Sequence, residues 1–412
     1  MDNTSIQQLA LQRKRYAHLS DEEWRFMLQQ VEGRQRTRDK LPPFATIEEW
    51  WYPVRLSCEQ CSSELTARHK TFLLKKYIQQ PFVLIDLTGG YGVDTFFMSE
   101  GAVLAHYIER NEELYRIVAH NFATFRPQVL FHNTTAENFL KQYPSHHTTQ
   151  LLTDELSTPQ HTVIYIDPAR RNHNGNKVFR LEDCEPNIIH LLPTLHAKAQ
   201  TIIIKLSPML DITAALNSLG GIWDVHIIAV KNEVKEVLLI STPTLHDDTT
   251  ARLSHAISIH ATNLLPNGSQ RNEQQDFIFT QEEEKQAHCI LYTADYSHLT
   301  NKGFYIYEPN AAIIKAGAFK LIAQRYNLCK MAQHTHLYLA AHLIENFPGR
   351  VWQIIETNIK DTKNIHANIL TRNYPLTPEQ LRKKLKIKDN DTFTIIGARL
   401  ADKPSIFFCQ KI

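Results

Sequence analysis

The sequence lacks the features that would place it in several large functional classes. Six cysteines in 412 residues are too few for the disulfide framework of a stapled secreted chain. Cys58 and Cys61 form the only Cys-x-x-Cys, and no second pair stands nearby to complete a zinc site, so no metal is expected. The 21 histidines are scattered; His146-His147 and His334-x-His336 have no cysteine or carboxylate grouping around them. Apolar runs are no longer than a strand, and the amino-terminal residues carry no hydrophobic leader. A soluble, cytoplasmic chain without a membrane partner is therefore expected. A formal net charge of +2 rules out strong overall electrostatic character, though not local patches.

What is present is enough for several cores. The length calls for two to four domains, and a 43% apolar fraction can bury them. Ser20 followed by Glu23 is a capping box, which predicts a helix through Trp24, Phe26, Met27, Leu28 and Val31, ending near Gly33. A second helix is predicted over about 58–79. Together they make residues 1–80 a helical amino-terminal segment.

Residues 81–244 alternate strands with helices. Strands are predicted at Phe82–Asp86, Val103–Ile108, Val129–His132, Val163–Ile166, Thr201–Lys205, Val225–Val230 and Val237–Ile240. Helix-sized stretches separate the first five, as parallel crossovers require. Only residues 231–236 separate the last two, which predicts an antiparallel hairpin and a reversed final strand. The fold class is thus α/β, a Rossmann-like seven-stranded domain. Residues 245–345 and 346–412 read as two small α+β domains. The first contains Cys289–Tyr292, Phe304–Tyr307 and a helix over about 311–323. The second contains strands at Val351–Ile355, Ala367–Leu370, Phe393–Ile396 and Ser405–Cys409, and a helix capped by Thr377 before Pro378. Residues 361–412 hold seven Lys and three Arg against five Asp or Glu, which suits either a solvated helix face or contact with RNA.

The densest chemistry follows the first strand, in Asp86-Leu87-Thr88-Gly89-Gly90-Tyr91-Gly92. Glycines here let a turn approach a ligand without side-chain clashes. The phosphate-loop signature Gly-Lys-Ser/Thr is absent, and Gly-Gly-x-Gly departs from the dinucleotide pattern Gly-x-Gly-x-x-Gly. Asp86 is placed to order the loop or meet a ligand's ammonium group. Glu109, 23 residues later at the end of the second strand, is placed for two ribose hydroxyls. After the third strand, Asn133, Thr135 or Glu137 could receive an adenine.

The fourth strand ends in Asp167-Pro168-Ala169-Arg170, where proline stiffens the exit from the sheet. Asp167 there could bind a nucleobase nitrogen or take its proton, or simply cap the next turn. Arg170, Arg171 and Lys177 are candidates to hold a phosphate. The fifth strand ends in Lys205-Leu206-Ser207-Pro208, placing Lys205 and Ser207 on the same edge. No cysteine follows either turn, and Cys184 lies farther along; a cysteine adduct on a pyrimidine C5 is therefore disfavoured, and chemistry at a nitrogen or oxygen is favoured.

These motifs resemble those of the class I S-adenosylmethionine-dependent methyltransferases over residues 82–244. The resemblance implies S-adenosylmethionine contacts at Asp86, Thr88, Gly89, Gly90, Gly92 and Glu109. Asp167-Pro168-Ala169-Arg170 is similar to the Asp-Pro-Pro-Tyr or Asp-Pro-Pro-Arg turn of many nucleic-acid methyltransferases, with Ala169 in place of the second proline and Arg170 in place of the common aromatic residue. Across about 50–410 the chain resembles a bacterial methyltransferase family known chiefly from Bacteroidetes. Its carrying segments are Glu59–Glu64, Lys205–Pro208, Asn232–Glu236, Tyr307–Asn310, Phe347–Arg350 and Arg372–Pro375. That family pairs the cofactor domain with a ferredoxin-like domain and a THUMP-like carboxy-terminal domain. Because THUMP domains accompany RNA modification, the resemblance implies an enzyme acting on structured RNA. A methyltransferase of proteins or small molecules, and a non-catalytic RNA scaffold with a relic pocket, are the alternatives.

Overall fold

The computed structural model describes residues 6–144, 161–169, 181–221, 223–241, 257–266, 273–293, 299, 303–357, 365–388 and 392–412. The chain divides into two compact units, Met1–Asp224 with Lys235–His255, and Val225–Val234 with Ala256–Ile412.

The first unit opens with helices α1 (Ile6–Ala10), α2 (Asp21–Thr37), α3 (Pro42–Ala45), α4 (Arg55–Gln60) and α5 (Glu64–Tyr77). The Ser20 and Glu23 capping box starts α2, as its spacing predicts, but the helix runs past Gly33 to Thr37. Gly33 is a contact rather than a stop: a Cβ there would lie 2.2 Å from Tyr52 Cβ. The second predicted helix is two helices, because Ser63 caps a fresh start by accepting from the Thr66 N–H. The break leaves Cys61 and Ser62 free of helix geometry, and Ser62 reaches the candidate site described below.

The sheet is built from β1 (Phe82–Asp86), β2 (Leu104–Ile108), β3 (Val129–His132), β4 (His161–Ile166), β5 (Thr201–Leu206) and β7 (Glu233–Ser241), with β6 at Asp224–Val230. Helices α6 (Val93–Met98), α7 (Glu112–Phe122), α8 (Ala136–Gln142), α9 (Ile188–Lys198) and α10 (Ile212–Leu219) fall between them. In the first unit the order is β3-β2-β1-β4-β5-β7. Strands β1 to β5 are parallel, and β7 runs antiparallel to β5, pairing Ile202 with Ser241 and Leu206 with Val237. This is the Rossmann-like arrangement with a reversed last strand. Strand order turns at β1 and β4, and such a switch point opens a crevice at the strands' carboxyl ends. Leu84, Ile85, Val163, Ile164 and Ile204 fill the sheet interior, fully buried. Lys231 and Asn232, with φ of 51° and 65°, form the two-residue left-handed link between β6 and β7.

In the second unit β6 pairs in parallel with β8 (Ser258–Leu265), β9 (Glu273–Thr280) lies antiparallel to β8, and α11 (Gln281–Gln286) follows β9. Eight further strands form one sheet: β10 (Ile290–Leu291), β11 (Tyr305–Pro309), β12 (Cys329–Ala332), β13 (Thr335–Ala340), β14 (Gly349–Thr357), β15 (Asn368–Arg372), β16 (Phe393–Leu400) and β17 (Lys403–Lys411). Their order is β10-β12-β13-β11-β14-β17-β16-β15, so the two small α+β segments share a sheet through β11 and β14. The helix predicted near 311–323 divides into α12 (Ala311–Ala316) and α13 (Leu321–Arg325), with Gly317 left-handed after the first. Thr377 caps α14 (Pro378–Leu385). Among the described residues no helix is long and apolar enough to cross a membrane.

Gly33→Ala should test the α2 packing. Helix propensity alone favours alanine by up to about 1 kcal/mol, whereas overpacking against Tyr52 costs about 1–3 kcal/mol. We expect net destabilisation in urea unfolding, and a stabilised variant would contradict the packing.

Candidate active site

A cavity of about 860 Å³ lies in the first unit at the carboxyl ends of β1, β2, β4 and β5. Its floor is the turn after β1. Asp86 is 1% exposed; its Oδ1 accepts from the Thr88 N–H at 3.0 Å and its Oδ2 from the Thr95 hydroxyl at 2.5 Å. Burial pushes its carboxyl up to about 7, against these two hydrogen bonds, which pull it down. Asp86 therefore braces the turn from beneath.

The glycines bring the chain close to β2. A Cβ on Gly89 would lie 2.1 Å from the Tyr107 ring, and Gly90 sits at φ 54°, where a Cβ would meet the Thr88 carbonyl oxygen at 3.8 Å. The Tyr107 hydroxyl donates to the Gly90 carbonyl at 2.6 Å. Glu109 accepts from the Gly90 N–H at 2.8 Å through Oε2 and from the Asn111 N–H at 2.7 Å through Oε1. Each oxygen keeps a second lone pair, and Glu109 lines the cavity. From the amino-terminal helices, Trp50 Nε1 donates to the Tyr91 hydroxyl at 2.8 Å, pinning the turn's far side.

The β3 loop divides its candidates. Asn133 Nδ2 donates to the Glu109 carbonyl at 2.9 Å and lies outside the cavity lining. Thr135 caps α8 and lines the cavity together with Thr134 and Glu137.

On the opposite wall, the Asp167 N–H donates to Thr88 Oγ1 at 2.7 Å, so the β4 exit is tied to the glycine turn. Pro168 and Ser207 line the cavity, and Ser207 Oγ accepts from the Met209 N–H at 3.2 Å. Arg170, Arg171 and Lys177 lie outside the described residues. Lys205 Nζ donates to Asp167 Oδ2 at 2.6 Å, to Ser62 Oγ at 3.2 Å and to Asp94 Oδ2 at 3.4 Å. Burial opposes its charge, but Asp167, Asp94 and Glu236 together hold the ammonium well above its ordinary range. This surrounding favours the charged ammonium at Lys205 over a neutral base.

Behind it lies a network that sequence reasoning missed. Asp94 Oδ2 accepts from the Tyr165 hydroxyl at 2.6 Å and the Ser62 hydroxyl at 2.8 Å. Its Oδ1 lies 3.2 Å from Lys70 Nζ, which also sits 2.5 Å from Glu236 Oε1. The Lys70 side chain is fully enclosed. Burial raises both carboxylates; at Asp94 the two lysines overcome it and hold the group well below the carboxylate range, whereas Glu236 stays raised. A signal did exist: Lys70 lies in helical register with the buried Thr66, Ala67, Leu73 and Leu74. A lysine on such a stripe needs a buried partner.

Comparison with known proteins places this arrangement. Residues 305–348 match a ferredoxin-like domain model, and residues 349–411 match a THUMP domain-like model. A crystal structure from Porphyromonas gingivalis, described as that of a candidate methyltransferase, is 32% identical with a TM-score of 0.76. The alignment covers 95% of this chain and 92% of that one. The chain belongs to the same family. It is the bacterial methyltransferase family that joins a class I S-adenosylmethionine-dependent domain to ferredoxin-like and THUMP-like domains. An uncharacterised S-adenosylmethionine-dependent methyltransferase of Mycobacterium tuberculosis, matched in two strains, is 21% identical over 248 residues. That match takes in 58% of this chain and 60% of the relative's length.

The cradle fits S-adenosylmethionine on this chain's own geometry. The turn carries no side chain at Gly90, Glu109 keeps acceptor lone pairs beside it, and the carboxylates of Glu137 and Asp167 line the cavity together with Lys205 and Arg110. The electrostatics yield a testable titration. Asp86 in the folded chain holds its proton up to about 7, above the ordinary carboxylate value near 4. The stability it contributes is full below that ordinary value and is lost as pH rises toward 7. Asp86→Asn keeps both hydrogen bonds, accepting from Thr88 and donating to Thr95, and cannot titrate. Wild-type stability in urea should therefore fall between pH 4 and 7 relative to the variant; parallel profiles would contradict the buried proton.

Proposed function

We propose that the chain transfers a methyl group from S-adenosylmethionine to a nucleobase nitrogen of structured RNA, ribosomal or transfer RNA, in the cytoplasm. The observation that carries this reading is the Asp167–Lys205 pair facing the same cavity as the glycine turn and Glu109. S-adenosylmethionine, when bound, supplies an activated methyl group, so the protein's task is mainly to align an acceptor.

The residues divide that task. Asp86 and Thr88 hold the turn, and Glu109 offers acceptors to a ribose. Lys205 fixes Asp167 Oδ2, while the side chain remains 39% exposed at the cavity. Oδ1 has no partner among the described residues and is left to accept from an N–H of the acceptor base. Such an interaction orients the nitrogen and gives its proton a place to go. A base within a duplex must first leave its stack. The cysteine that lines the cavity is Cys61, whose thiol is pushed up by burial, which disfavours the thiolate adduct that C5 transfer requires. The THUMP-like match at 349–411 supports RNA over a protein or small-molecule acceptor.

Transfer of labelled methyl groups to fractionated cellular RNA tests the proposal. Asp167→Ala should lower turnover by about 100-fold or more, with cofactor affinity retained. Labelling confined to protein or small molecules, or full turnover by the variant, would overturn it.

A further inference from the structure

The second unit holds a cavity of about 330 Å³, built wholly from the THUMP-like segment. Strands β14, β15, β16 and β17 and helix α14 converge on it. Its lining includes Arg350, Arg382, Lys411, Trp352, Asn368 and Thr394. Three cations and no carboxylate line it among the described residues.

The cations differ in how they are held. Glu308, 6% exposed in its side chain, accepts from Arg350 Nε at 2.8 Å and from its Nη2, and from Arg372 Nε at 2.6 Å. One carboxylate shared by two guanidinium groups leaves an excess positive charge there. Arg350 also lies over the Trp352 ring, 5.3 Å from its centroid, and Trp352 Nε1 donates to Thr394 Oγ1 at 3.2 Å. The floor and one cation are therefore preorganised. Lys411 is exposed on β17, directly opposite Trp352 in the β14–β17 ladder.

We infer that this cavity is a subsite for the phosphate of an RNA strand, held by Arg350, Arg382 and Lys411. The inference rests on the proposed RNA substrate and adds where the strand is gripped. Planar guanidinium donors match phosphate oxygens, and Lys411 adds a point charge. Asn368 and Thr394 supply polar edges suited to the adjoining sugar. Contacts of this kind fix position without reading sequence.

Binding of a short fluorescein-labelled single-stranded RNA to the full chain, followed by anisotropy over a range of salt, is the test. Lys411→Glu and Arg382→Gln should each weaken binding by about tenfold. Lys411→Gln should lower the slope of log K against log salt by about 0.7, one phosphate contact. S-adenosylhomocysteine affinity, which reads the first unit, should be unchanged, and urea unfolding that matches wild type should report correct folding of the second. Wild-type RNA affinity and slope in all three variants would overturn the subsite, as would adenosine monophosphate binding as tightly as the oligonucleotide. If methyl transfer to RNA fails yet the variants lose binding as expected, the subsite stands and the proposed reaction falls.

Discussion

A buried array of alternating charges organises the cofactor-side unit. Lys70 from α5 meets Asp94 from α6 and Glu236 from β7, while Lys205 from β5 meets Asp94 and Asp167 at the end of β4. Each ion loses several kcal/mol of hydration on burial, and mutual attraction offsets that only when every member is in place. Loss of one partner would strand a charge on another element. The array thus ties the helical lead-in, the glycine-turn helix and three strands into one register. It also sets the chemistry at the cavity wall, because Lys205 stays charged and Asp167 is held by one oxygen.

The cavity's two walls answer to different constraints. On the turn side, backbone shape dominates: Gly89 packs on Tyr107 and Glu109 receives the Gly90 N–H. On the Asp167 side, ion pairing dominates. The bond from the Asp167 N–H to Thr88 Oγ1 couples the two, so a shift in the glycine turn is felt where an acceptor would sit.

Local chemistry was legible in the sequence, and distant pairing was not. The glycine turn, the acid ending β2 and the Asp-Pro turn after β4 announce themselves within a few residues, and they line one cavity. Strand positions and the reversal at β7 were likewise readable, since crossover lengths constrain them. Lys70 and Glu236 stand 166 residues apart, and no local pattern declares that they touch. Gly33 read as a helix stop because its neighbour Tyr52 comes from a later segment. The break at 61–63 was hidden in a polar stretch, although Ser63 carries the cap. Asn133, one of three candidates after β3 for an adenine contact, uses its amide nitrogen to hold the β2 carboxyl end.

The central claim is that the glycine turn and Glu109 form an adenosine-binding cradle. Calorimetric titration of S-adenosylhomocysteine into wild type and Glu109→Ala tests it most directly. Saturable binding that weakens by about tenfold or more in the variant is predicted, the loss of charge-assisted hydrogen bonds. Absence of binding to folded wild-type protein, or equal affinity in the variant, would contradict the account.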